Sequence, residues 1–305
     1  MAVTAAMVKE LREMTGAGVM ACKNALVETD GNFESAIELL RKKGEATAVK
    51  KAGRIAAEGA VLAIVEEDKN AAIVEVNSET DFVANTDEFK NFVNLVADTI
   101  IEKNPADVEA LKATVVSGGT ATVDEALQEL FLKIRENLQI RRFVRLEGTL
   151  MPYIHGGGKI GVMVRVESSD GASEAALTVA KDCALQIAAM NPAYLNREAV
   201  PASVLEEEKT IVLSQMAEDP KMAAKPEQVR AKIAEGKVGK YFSENCLLEQ
   251  AFVKENKETV QSYVDGVAKA AGTTIAITDF VRFERGEGIE KKADNFAEEI
   301  ASMIK

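Results

Sequence analysis

Ala71–Ser78 reads AAIVEVNS, and Gly161–Ser168 reads GVMVRVES. Apolar residues recur at every second position in both, the period of a half-buried strand. The pair Glu58-Gly59 precedes the first stretch as Glu147-Gly148 precedes the second. Each stretch is followed by an apolar stripe at helical spacing: Phe89, Phe92, Val93, Val96 and Ile100 after the first, and Ala176, Val179, Ala180, Cys183 and Ile187 after the second. A unit repeated at this length predicts two similar α+β subdomains with antiparallel sheets, packed against each other. The ranges expected are 55–140 for one, and 141–195 with 245–285 for the other.

The two copies part at the connection from strand to helix. The first has SETDFVANTDE over Ser78–Glu88, where Thr86 can cap the helix with Asp87 and Glu88 in its first turn; the second has the plain turn Ser169-Asp170-Gly171-Ala172. Phe82 thus stands among turn-forming and acidic residues. It either staples strand to helix or serves as an exposed aromatic anchor, since loops carry binding residues and aromatics are frequent interface hot spots. A staple would be needed in both copies, which favours the anchor. Thr-Asp-Phe-Val occurs again at Thr278–Val281 inside an alternating run from Thr274 to Glu284. There it reads as a strand fragment, with Ala276, Thr278, Phe280 and Arg282 on one face.

Residues 1–54 read as a three-helix unit. Thr4 caps the first helix, Thr15-Gly16-Ala17-Gly18 breaks it, Asp30-Gly31-Asn32 breaks the second, and the third stops at Gly44. Arg41, Lys42, Lys43, Lys50, Lys51 and Arg54 then form a basic linker. A further helix is expected over Val123–Asn137. Two antiparallel helices over 196–244 read as an insertion into the second subdomain. Ser203–Glu206 is read as a capping box, Val204/Ile211 and Leu205/Val212 as heptad-spaced pairs, and Pro226 as a helix start. This hairpin is either an arm that pairs with another chain, including a second copy, or an ordinary pair covering the core. A helix through Val260, Tyr263, Val264 and Val267 follows, and a C-terminal helical module over 286–305 carries Phe296, Ile300 and Met303 along one stripe.

The chain has 305 residues, 47% hydrophobic and 28% charged, as in a soluble globular protein. Its apolar runs fall short of the roughly 20 residues of a spanning helix, and no signal peptide is visible, so the expectation is a cytoplasmic protein without a membrane partner. A net charge of −12 argues against direct nucleic-acid binding. Cys22, Cys183 and Cys246 are odd in number and lack a CxxC, which suggests buried free thiols and no zinc site. His155 is the single histidine, which removes a Ser-His-Asp hydrolase and most metal sites. No catalytic pair, metal site or cofactor site is expected. Gly156-Gly157-Gly158-Lys159-Ile160-Gly161 matches GxGxxG, yet it runs into a strand and not a helix, so it reads as a hairpin turn and not a phosphate loop.

Leu11-Arg12 with Thr15–Gly18, Cys22-Lys23, Ala25-Leu26, Glu75-Val76-Asn77, Thr80–Ala84, His155-Gly156, Ile160-Gly161-Val162, Arg282-Phe283 and Gly286–Glu290 together resemble the bacterial elongation factor Ts family, end to end and in order. The resemblance implies a guanine-nucleotide exchange factor for elongation factor Tu that makes and breaks no bonds. It implies a ubiquitin-associated-like N-terminal domain, a duplicated core, a coiled-coil arm and a small C-terminal module. It further implies that Asp81 and Phe82, flanked by Thr80 and Val83, enter the GTPase domain and displace the groups that hold Mg²⁺ and GDP. Ile134, His155, the N-terminal domain and the stripe Phe296, Ile300, Met303 would contact the same partner. Arg135 departs from the family's glycine, and the arm is longer than in enterobacterial members.

Overall fold

The alternation in AAIVEVNS becomes the central strand of a sheet that is covered on both faces. A computed structural model describes residues 3–66 and 69–290. Three helices come first: α1 (Ala5–Thr15), α2 (Val19–Glu28) and α3 (Phe33–Lys51). The Thr4 side chain accepts the Met7 amide, and Gly16, in the left-handed region at φ 65°, ends α1. Val8, Leu11, Cys22, Ala25, Leu26, Ala36 and Leu40 close a small core. Gly44 does not stop α3, which continues to Lys51; about 1 kcal/mol of glycine penalty is too little to break a helix that packs elsewhere.

The first sheet has the order β1 (Glu58–Glu66), β2 (Asn70–Ser78), β3 (Gln139–Glu147), all antiparallel. Positions 67 and 68, between β1 and β2, lie outside the described residues. Between β2 and β3 come the single turn α4 (Asp81–Ala84), then α5 (Asp87–Lys103), α6 (Val108–Ala113) and α7 (Val123–Ile134). The second sheet is β4 (Thr149–His155), β5 (Ile160–Ser168) and β8 (Ile275–Glu284). After β5 the chain forms α8 (Glu174–Met190), the hairpin α9 (Ala202–Glu218), α10 (Pro220–Ala223) and α11 (Glu227–Asn245), the small ribbon β6 (Ala251–Phe252) and β7 (Glu255–Thr259), and α12 (Val260–Ala271).

The fold is α+β, with four layers in its core. Ala72, Val74 and Val76 of β2 face the helices α5 and α7, while Ala71 and Ile73 face the second sheet across Val61, Leu150, Met163 and Phe283. Val162, Val164 and Val166 of β5 face α8 and α12. The period of two in one strand thus feeds two separate cores.

The duplication runs deeper than the two quoted stretches. Helices α5 and α8 both end on an asparagine in the left-handed region, Asn104 at φ 48° and Asn191 at φ 46°, each followed by proline. Helices α7 and α12 both have threonine N-caps and left-handed C-caps, Arg135 at φ 62° and Gly272 at φ 69°. The third strands carry a bulge at the same place, Arg141 of β3 opposite Glu75 and Val76, and Thr278 of β8 opposite Arg165 and Val166. Opposite each bulge stands a charge pair of inverted sign, Glu75 with Arg142 at 2.6 Å and Arg165 with Asp279 at 3.2 Å. The third strands then align as Phe143-Val144-Arg145-Leu146-Glu147 with Phe280-Val281-Arg282-Phe283-Glu284. Phe280 is therefore the twin of Phe143, not of Phe82.

Several expectations are corrected. The bulge at Thr278 slips the alternation of β8, so Phe280 shares the helix-facing side with Ile275 and Ile277 while Ala276 is exposed on the other face. The β3 strand, hidden from pattern reading by Arg141 and Arg142 at the corresponding bulge, completes the first sheet. Helix α7 ends at Ile134 and not at Asn137. Ser203 lies inside α9, whose N-cap is Pro201 without a side-chain cap bond, so there is no capping box. Val212 and Met216 pack on Ala234 of α11, whereas Ile211 is exposed, so the Val204/Ile211 pair is not part of the hairpin's seam. Pro226 is the N-cap of α11. The roots of the hairpin are held together by Ala193 and Tyr194 amides on the Asn245 carbonyl and by the Leu247 amide on Tyr194.

Candidate functional site

The site is built where the first copy departs from the second. Thr80 leaves β2 in an extended conformation and its hydroxyl accepts the Val83 amide, which starts α4 with Asp81. The turn closes at once. Asn85 donates from its backbone and its side chain to the Asp81 carbonyl, and the Thr86 hydroxyl donates to the Val83 carbonyl at 2.8 Å while accepting the Phe89 amide to cap α5. Ala84 and Val83 point into the core beneath α5. Phe82 does not: it is 83% exposed, the most exposed large hydrophobic side chain among the described residues. Val83 fills the inward position that a staple would need, so the staple reading of Phe82 is set aside. Asp81 is exposed beside it.

The corner is anchored from across the fold. The Glu136 carboxylate accepts the Thr80 amide at 3.0 Å and the Thr80 hydroxyl at 2.8 Å, and the Glu79 carboxylate accepts the Asn137 amide at 2.7 Å. Glu79 also pairs with Arg54 at 3.4 Å. The Asn137 side chain, buried, donates to the carbonyls of Ala52 and Arg54, and Lys51 donates to the Arg135 carbonyl. The basic linker is thus engaged inside the molecule: Arg41 pairs with Glu129, Lys43 with Glu28 and Lys42 with Glu38. Glu79, Glu136 and Asn137 escaped the sequence reading because the bonds that tie them across the corner span more than fifty positions and no local pattern marks them.

The other expected contact residues are dispersed. Ile134 ends α7 and is half-buried against the first core, adjacent in sequence to the Arg135–Asn137 segment. His155 ends β4, exposed, with Nδ1 3.1 Å from the Tyr153 hydroxyl. Phe296, Ile300 and Met303 lie outside the described residues. The Gly156–Gly158 loop is a hairpin turn whose tip docks on the first sheet: the Val61 amide donates to the Gly158 carbonyl, and Gly158 sits at φ 95° against Ala60. Among the described residues no group of His, Cys, Asp and Glu could hold a metal, and no helix is long and apolar enough to cross a membrane. All three cysteines are buried free thiols, and burial with the Asp182 carboxylate pushes Cys183 up to about 12.

Residues 79–287 match the family model described as Elongation factor TS. Elongation factor Ts of Syntrophotalea carbinolica is 47% identical over the whole of both chains, and that of Clostridium perfringens strain SM101 is 48% identical over 99% of each. The protein of the same name from Trichlorobacter lovleyi is 48% identical over 99% of this chain and 98% of its own.

The chain belongs to the elongation factor Ts family.

Its place is therefore in protein biosynthesis, as an exchange factor of translation elongation. For such a protein the site sought is a surface that another protein engages, and the exposed turn Thr80–Val83 is a candidate of that kind.

Proposed function

We propose that the protein promotes release of GDP from elongation factor Tu by inserting Asp81 and Phe82 into the GTPase domain, where they displace the groups that hold Mg²⁺ and the diphosphate. One observation carries the proposal: a phenylalanine held 83% exposed on a capped turn that the second copy of the fold lacks. An exchange factor needs differential affinity for the nucleotide-free state of its partner, and reciprocity requires it to weaken GDP binding by the same factor. Burying a phenylalanine side chain in the partner contributes about 1.5–3 kcal/mol, roughly one to two decades in an equilibrium constant. A rigid turn delivers that energy without first losing loop entropy. Ile134 and His155 are further contacts in this reading. The Mg²⁺ and GDP belong to the partner, and Mg²⁺ neutralises phosphate charge in such sites, so its displacement loosens the nucleotide without hydrolysis.

The test is stopped-flow release of fluorescent GDP from elongation factor Tu. Phe82→Ala is expected to slow factor-stimulated release by at least tenfold while leaving the thermal unfolding midpoint unchanged, because an exposed side chain supports no core. Release as fast as with the wild-type factor sinks the proposal.

A further inference from the structure

In both copies of the fold the corner between the second strand and its helix is tied to the residues that lead into the third strand. The two ties differ in kind. In the second copy they are made by short hydroxyls: Ser168 and Ser169 meet the Thr273 hydroxyl at 3.3 and 2.7 Å, and Ser169 exchanges 3.2 Å bonds with the backbone of Thr274. In the first copy the equivalents of Thr273 and Thr274, counted from the matching C-caps Gly272 and Arg135, are Glu136 and Asn137. There two carboxylates reach across in opposite directions, Glu136 to the amide and hydroxyl of Thr80, and Glu79 to the amide of Asn137. Charge-assisted hydrogen bonds of this kind are roughly twice as strong as neutral ones. The stronger tie sits in the one copy whose corner carries an exposed aromatic residue.

We propose that Glu136 and Glu79, acting through Thr80 and Asn137, are positioning residues of the exchange site. They fix the direction in which Asp81 and Phe82 leave the surface, and so set the speed of the displacement step more than the strength of docking. Thr80 is the pivot. Its hydroxyl accepts the Val83 amide to start the turn while donating to Glu136, and its carbonyl accepts the Ser78 hydroxyl at 2.9 Å. With its amide, hydroxyl and carbonyl all engaged, the residue that begins α4 cannot rotate without breaking the clamp. The other end is equally held. Asn137 is buried, and its side chain is committed to the carbonyls of Ala52 at 3.3 Å and Arg54 at 2.7 Å, where the helical N-terminal segment enters the core. The clamp therefore references the turn to the end of α7 and the segment after α3, not only to its own sheet. Misplacement of a reacting group by about 1 Å can cost on the order of a hundredfold in rate, and a displacing side chain obeys the same geometry.

The inference rests on the exchange reading, and the experiment separates the two. Release of fluorescent GDP from elongation factor Tu is followed at rising factor concentration, giving a maximal rate and a half-saturating concentration. Glu136→Ala is expected to lower the maximal rate about tenfold with less than a twofold change in half-saturation, in a protein that loses some thermal stability but stays folded at the assay temperature. Glu136→Gln keeps an acceptor for the Thr80 amide and can donate to its hydroxyl, so it should return the rate to within about threefold of wild type. Glu79→Ala, from the opposite side of the clamp, should reproduce the loss. Because the clamp acts through the aromatic side chain, Glu136→Ala is expected to add nothing in a Phe82→Ala background. A wild-type maximal rate in Glu136→Ala, a loss confined to half-saturation, failure of Glu136→Gln to rescue, or full additivity with Phe82→Ala overturns the positioning role. If Phe82→Ala itself exchanges at the wild-type rate, the parent reading fails instead.

Discussion

Glu75 offers a prediction that can be worked through from the structure. Its carboxylate has no solvent exposure and lies opposite the bulge in β3, accepting the Gly286 amide at 2.7 Å, Arg142 Nε at 2.6 Å, Arg141 Nη1 at 3.0 Å and Asn77 Nδ2 at 3.1 Å. It thereby joins the first sheet to the chain that follows β8. Breaking one side of a buried ion pair costs about 3–5 kcal/mol when the other side stays buried. The Arg141 and Arg142 side chains are 27% and 31% exposed and can recover water, so the loss falls toward the lower end. Glu75→Gln keeps an acceptor for Gly286 but turns its amide toward guanidinium donors, and the expected loss is about 3 kcal/mol at pH 7. The pH dependence follows from the direction of the shift. Burial alone would raise this pKa, but the Gly286 amide, Arg142, Asn77 and Arg141 outweigh burial and hold it below the ordinary carboxylate range. A lowered folded pKa means the stabilisation is complete above the unfolded value of about 4.3 and is lost as pH falls through the folded value. Urea unfolding of wild type and Glu75→Gln at pH 7 and at about pH 3.5 should show the gap shrinking in acid. A gap below about 1 kcal/mol at pH 7, or one that widens in acid, refutes the reasoning.

Two other substitutions test neighbouring parts of the argument. Gly158→Ala places a Cβ at φ 95° and 3.1 Å from Ala60 Cβ; strain and contact together should cost about 2 kcal/mol in urea unfolding and accelerate hydrogen exchange at the Val61 amide, and an unchanged Val61 exchange rate would show that the hairpin tip is not docked as described. Phe280→Ala removes a half-buried ring from the second core and should cost roughly 2 kcal/mol with exchange intact; a stable variant that fails to release GDP would remove the distinction drawn between Phe280 and Phe82.

Much of the fold was legible because it rests on local periodicity. Helix α5 follows from Thr86, the two acidic residues after it and the stripe Phe89 to Ile100, all of which act within a few residues of one another. The strands β2 and β5 follow from alternation for the same reason. Strand β3 and the face of Phe280 did not follow, since a bulge breaks the period of two and only the pairing with the neighbouring strand reveals it. The capping box at Ser203 failed because Pro201 starts the helix two residues earlier.

The candidate site divides along the same line. Sequence by itself marked the unpaired connection at Thr80–Val83, because a duplicated chain carries its own control in the second copy, and marked Phe82 as out of place in polar company. Tertiary structure decided that Phe82 points outward while Val83 points inward, since burial depends on what packs from elsewhere. It alone brought Glu136 to Thr80 and Glu79 to Asn137. Those bonds close loops of more than fifty residues, and no periodicity within a strand or helix encodes a contact at that range.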